Sequence, residues 1–222
     1  MNSIAKIYDF LGRLAENNNR DWFAAHRDEY DEVNALWLAD VQRLIDRMSL
    51  WDKSLTGLKA RDSVYRIYRD TRFSPDKSPY KRHFGALIGQ GGRKCALSCC
   101  YVHIQPGNSG LHGGIWCPER DVLDALRHAI DDNIEEFLEI LNRKEFARRF
   151  SLFGDTLKKM PRGFAADNPN GKYIKMKEYL LEGQRSDDWF INCDDWTEKA
   201  AADFRLMQDF HNFMNFTIKN EV

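Results

Sequence analysis

From Trp22 to Met48, apolar side chains recur at Trp22, His26, Tyr30, Val33, Trp37, Val41, Leu44, Ile45 and Met48, a stripe sustained for about seven helical turns. A face of that length must be covered by other elements, so this chain needs a second layer of structure. Asn19 precedes the stripe as the candidate cap of one long helix. A shorter helix comes before it, carrying Ile7, Phe10, Leu11 and Leu14 behind a candidate Ser3 cap and ending at Asn17-Asn18-Asn19.

Between residues 55 and 105 the helical period disappears. Val64 to Arg69 and Cys95 to Gln105 are rich in β-branched and aromatic residues and read as strands. In the second, alternation puts Ala96, Cys100, Val102 and Ile104 on one face and Cys95, Leu97, Cys99, Tyr101, His103 and Gln105 on the other. Gly107 to Gly114 reads as a glycine-rich loop, followed by a short strand around Ile115 and Trp116. Pro118, Glu119 and Asp121 open a helix carrying Val122, Leu123, Leu126, Ala129 and Ile130. A further helix carries Ile134, Phe137, Leu138 and Leu141, and helical spacing also links Phe146 to Phe150. Tyr173 to Leu181 and Trp189 to Ile191 read as strands, and Thr197 as the cap of a last helix. With no composition shift and no internal repeat, residues 1–222 are expected to form a single α+β domain, mainly an antiparallel sheet packed by amphipathic helices.

Charge narrows the partners. Thirty-three basic residues against 34 acidic ones give a net charge of −1, which argues against general affinity for nucleic acid or an anionic membrane. The charge is distributed in blocks, positive over 61 to 94 and 143 to 182 and negative elsewhere. No stretch approaches the roughly 18 apolar residues of a membrane span. Met1 to Leu14 lacks the apolar core and cleavage site of a secretory leader, so a cytoplasmic location is expected. Five cysteines, an odd number, read as reduced thiols.

The densest constellation runs from Arg66 to Lys81, where Arg66, Arg69, Arg72, Lys77 and Lys81 face only Asp70 and Asp76. Guanidinium forks on a loop leaving a strand can converge on a carboxylate or phosphate. Arg66, Arg69 and Arg72 are the expected anion ligands, with Lys77, Tyr80 and Lys81 as secondary members. If strand Val64 to Arg69 pairs with strand Cys95 to Gln105, His103 stands beside Arg66 and is the one nearby candidate for proton transfer. The alternative is a non-catalytic interaction protein in which Asp70 and Asp76 clamp the arginines as internal bracing. Metal binding by Cys95, Cys99, Cys100 and Cys117 is disfavoured because Cys100 alternates away from Cys95 and Cys99, and no HExxH spacing joins His83, His103 and His112. No nucleophile elbow or dinucleotide fingerprint is present, and no cofactor is expected. Lys158, Lys159 and Arg162 form a second basic cluster, read as solvated charge.

The runs "NNNRDWF" at 17–23, "RDTRFSPDKSPYK" at 69–81, "GGIW" at 113–116 and "KKMPRGF" at 158–164 resemble the family catalogued as domain of unknown function 2461. The resemblance extends from about Tyr8 to Phe216. It implies a compact α+β domain and supplies no catalytic residues.

Overall fold

In a computed structural model, residues 3–221 are described. Helix α1 (Ser3–Glu16) buries Ile4, Ile7, Phe10, Leu11 and Leu14 along one stripe. Ser3 lies inside its first turn rather than at its cap, and its hydroxyl donates to buried Asp40 at 3.2 Å. The long helix expected from Trp22 onward is two helices, α2 (Arg20–Ala25) and α3 (Arg27–Met48). Asn19 caps the first, its side chain accepting from the Trp22 amide. The break falls at His26, whose ring stacks on Trp22 and donates from Nδ1 to the Trp22 carbonyl at 2.8 Å. The Trp22 carbonyl thus accepts from both the ring and the amide of His26, and the break leaves the apolar stripe on the core.

A helical turn, α4 (Ala60–Ser63), leads to the first strand of the sheet, β1 (Phe84–Ile88). The strand expected at Val64 to Arg69 is instead an extended segment outside the named strands. It is tied to the chain at 80–86 by isolated pairings of Val64 with Ala86 and Tyr68 with Tyr80, and by the bond from Lys81 N to Ile67 O. It therefore covers the edge of β1, which separates it from β2 (Cys99–Ile104). β2 is shorter than the expected run from Cys95. The expected glycine-rich loop is mostly strand β3 (Ser109–Ile115).

Helices α5 (Arg120–Asp132), α6 (Ile134–Asn142) and α7 (Lys144–Ala147) follow, then the edge strand β4 (Ser151–Phe153). Tyr173 lies in a helical turn, α8 (Gly171–Ile174), so the strand expected there begins only at β5 (Tyr179–Arg185). Trp189 to Ile191 is helical, in α9 (Asp187–Ile191), because Ser186 caps a turn opened by two aspartates. The last helix is again two, α10 (Trp196–Arg205) and α11 (Gln208–Glu221), and Asp195 rather than Thr197 provides the cap.

The fold is α+β, with an antiparallel sheet in the order β1-β2-β3-β5-β4. One sheet face, formed by Ala86, Ile88, Cys100, Val102, Ile104, Leu111 and Leu181, is buried in a single apolar core with the helices. Asp40 is buried there with its charge compensated by Ser3, Arg43 and the Trp196 indole, so α1, α3 and α10 are pinned at one point. The opposite face, carrying Leu87, Cys99, Tyr101, His103 and His112, stays half-buried. Among the described residues no helix is long and apolar enough to cross a membrane.

Candidate functional site

The Arg-rich segment separates into cations held by the protein and cations left open. Arg69 Nη1 donates to Asp76 at 2.6 Å, to the Ser78 carbonyl at 3.2 Å and to the Ser78 hydroxyl, while Nη2 reaches Ser74. Asp76 in turn accepts the Ser78 amide; this bond, the Ser78 hydroxyl and Arg69 hold its carboxyl well below the usual range. Arg72 forms a fork on Asp70, with Nε at 3.0 Å and Nη2 at 2.6 Å, and lowers that carboxyl to about 2. Lys77 donates to the Thr71 carbonyl. Tyr80 is buried, its ring stacked on Phe23 at 4.0 Å and its backbone bracketed by the Asn18 amide. The first two family-like runs thus meet through Asn18, Phe23 and Tyr80.

Arg66 and Lys81 differ from these. Among the described residues neither charged head has a hydrogen-bond or ion-pair partner, although Arg66 is near enough to Asp70 to favour its ionised form. Lys81 is partly buried with its ammonium 5.2 Å from the centre of the Tyr65 ring. Burial, then Arg66 and Arg93, hold its pKa below the ordinary lysine value. These cations repel one another at a position where no protein carboxylate pairs with Lys81.

The half-buried sheet face lies beside them. His103 in β2 faces Gly85 of β1 on one side and Gly110 of β3 on the other. Tyr101 faces His112, and His112 faces Glu182 of β5. Both glycines make room for rings: a Cβ at Gly85 would lie 2.3 Å from the Tyr101 hydroxyl, and one at Gly110 2.6 Å from His112 Nε2. The rings of His83 and His103 are 4.4 Å apart, and those of His103 and His112 6.5 Å. Tyr65 meets Tyr101 edge to face at 6.2 Å, which links the Lys81 ammonium to the histidine face.

His103 is oriented from both sides. Nε2 lies 3.3 Å from Gln105 Oε1, an atom that only accepts, so the ring proton sits on Nε2 and Nδ1 accepts from the Tyr101 hydroxyl at 3.2 Å. Burial pushes the histidines toward the neutral form. His83 falls to about 4 through burial, then His103 and Lys81; His112 falls to about 4 through burial and His103; His103 is lowered by burial. At neutral pH the face presents neutral imidazoles, with Lys81 and Arg69 as the positive charges acting on His83 and Arg185 the one acting on His112. Such a surface can attract an anion and move a proton.

Sequence reasoning put His103 beside Arg66 if their two strands pair, and they do not, because β1 stands between those segments. His83 and His112 join His103 because β3 and the start of β1 carry them to the same face. Their signal was spacing: Gly110 and His112, like Tyr101 and His103, are two residues apart. Among the described residues no three His, Cys, Asp or Glu side chains converge as a metal site requires. Lys158, Lys159 and Arg162 lie in the segment between β4 and α8.

Fold and surface together define an α+β protein whose helices cover one side of an antiparallel sheet while the other side carries a histidine and tyrosine cluster flanked by cations. The family model for a conserved hypothetical protein, DUF2461, matches residues 6–213, and the chain belongs to that family. No curated protein and no solved structure matched the chain.

Proposed function

We propose that this protein binds a small phosphorylated or carboxylated compound on the half-buried sheet face, in the cytoplasm. Arg66 and Lys81 act as the anion ligands and the Tyr101–His103 pair as the proton-handling group. The observation that carries this reading is that Arg66 and Lys81 lie together without an ion-pair partner, Lys81 next to the neutral His83, whereas Arg69 and Arg72 spend their donors on Asp76, Ser78 and Asp70. Arg69, Lys77 and Tyr80 then shape the loop that presents Arg66 and Lys81, whereas Arg72 serves Asp70 alone. Charge-assisted contacts contribute about 1.5 to 3 kcal/mol each, so two of them hold an anion at about millimolar Kd.

Calorimetric titration with inorganic phosphate tests it. Saturable binding is expected, weakened at least about tenfold in Arg66→Gln or Lys81→Gln and unchanged in Arg72→Gln. Equal weakening in all three, or no saturable heat in the unaltered protein, contradicts the reading.

A second reading is a non-catalytic interaction protein with the Arg and Asp residues as bracing. It draws on the clamps at Arg69 and Arg72 and on Trp116 and Phe73, which are 75% and 93% exposed. Capture of a protein partner that Trp116→Ser abolishes, with no phosphate binding, favours that reading.

A further inference from the structure

A cavity lies where the Ile88 end of β1 meets the Cys99 end of β2. It encloses about 420 Å³ between α11 and the turn after α3. That volume accommodates a small molecule. Three of the five cysteines line it, and they are not equivalent.

Cys100 is fixed. It is buried on the core face, 3.4 Å from His211 Nε2, and His211 Nδ1 is held by the Ser98 hydroxyl at 2.8 Å. Burial pushes the Cys100 thiol far above its ordinary value and His211 down to about 4, so neither is charged at neutral pH. Cys95 and Cys99 form a pair instead. Their side chains converge, and the Cys95 thiol donates to the Leu97 carbonyl oxygen at 3.6 Å. The two side chains close over Gly89: a Cβ there would sit 2.6 Å from Cys99 Cβ, 2.7 Å from Cys95 Sγ and 3.2 Å from Cys95 Cβ. Glycine at this position is what lets both approach the same point. Both are partly accessible, and the largely apolar cavity wall carries the polar side chains of Asp52, Gln90, Asn212 and Lys219.

We propose that Cys95 and Cys99 are a redox-active dithiol that exchanges with a low-molecular-weight disulfide entering this cavity. The Cys95 thiolate attacks one sulfur of that disulfide, forming a mixed disulfide and releasing one thiolate. The Cys99 thiol gives up its proton and attacks Cys95 Sγ, forming the Cys95–Cys99 disulfide and releasing the second small thiol. Two electrons pass from the cysteine pair to the small molecule, and the Cys99 proton leaves with the second thiol. The roles follow from position, Cys95 lying in the turn before β2 and Cys99 held within the strand, and the interaction between them acts in the same sense, drawing Cys95 down to about 7 and, with burial, pushing Cys99 well up. Asp52 opposes this at Cys95, more weakly than Cys99 favours it. This activity is independent of the anion surface.

The test uses the full chain with oxidised glutathione at neutral pH, read by peptide mass spectrometry. The expected result is a peptide that has lost two hydrogens with Cys95 joined to Cys99, while Cys99→Ser stops as a glutathione adduct on Cys95. Cys95 and Cys99 remaining free thiols while only exposed Cys117 is modified would overturn the proposal. Should Cys99→Ser fail to fold, timed alkylation of the unaltered protein decides. Cys95 reacting about tenfold faster than Cys99 supports the proposal, and equal or reversed rates contradict it.

Discussion

Arg69 and Arg72 sit three residues apart in the same loop and bond to neighbouring aspartates, yet they do different work. Arg69 ties together Asp76, Ser78 and Ser74 and is about one-quarter exposed, whereas Arg72 serves Asp70 alone and its side chain is 77% exposed. Arg69→Gln should therefore cost about 1 kcal/mol in urea unfolding, the value of a charge-assisted bond discounted for solvent screening. Arg72→Gln should cost nothing measurable, and equal losses would show the loop is not braced as described. The sequence showed the charged types here but not their division, because both arginines have an aspartate within seven residues. Only the turn through Ser74 to Ser78 decides which guanidinium is enclosed.

At the scale of elements, the informative failure is β3. A stretch with Gly107, Gly110, Gly113 and Gly114 lacks the side chains that mark a strand, so it reads as a loop. Its glycines are instead what admits it between two neighbours. Gly114 has φ +108, and a Cβ there would lie 2.1 Å from the Tyr179 carbonyl oxygen, whereas Gly107, at φ +74, faces open space. Gly114→Ala should thus destabilise by about 3 kcal/mol or more, and Gly107→Ala by about 1 kcal/mol. Thermal unfolding of the two variants checks the order, and a reversal would place the close approach elsewhere. The helices were more legible, since Ile7, Phe10, Leu11 and Leu14 or Leu126 and Ile130 repeat at 3.6-residue spacing. The breaks at His26 and after Arg205 were not, because the apolar stripe runs through both. β1 was missed for a related reason: five residues, Phe84 to Ile88, pair with β2 by a register that no local pattern encodes.

For the whole molecule, burial of histidines sets the response to acid. His83, His112 and His211 each fall to about 4 in the fold and return to about 6.5 on unfolding. The unfolded chain therefore binds more protons between these values. The histidine contribution is full above about pH 6.5 and declines as pH falls toward 4, each histidine costing about 1.4 kcal/mol per pH unit in that window, and below it the lowered carboxyls of Asp70 and Asp76 continue the loss. Against a total of about 5 to 15 kcal/mol, unfolding is expected within the histidine window. Urea midpoints measured across this range should fall steeply, less so in His211→Gln, and a flat profile would mean the rings are hydrated. If the proposed anion site is real, an anion held by Arg66 and Lys81 should favour the protonated form of the nearby imidazoles. The direct test is an NMR titration of the imidazole resonances against pH, with and without inorganic phosphate. Phosphate should raise the apparent pKa of His83 and His103 and leave buried His211 unmoved, whereas identical titration curves in both buffers would contradict an anion site on this face.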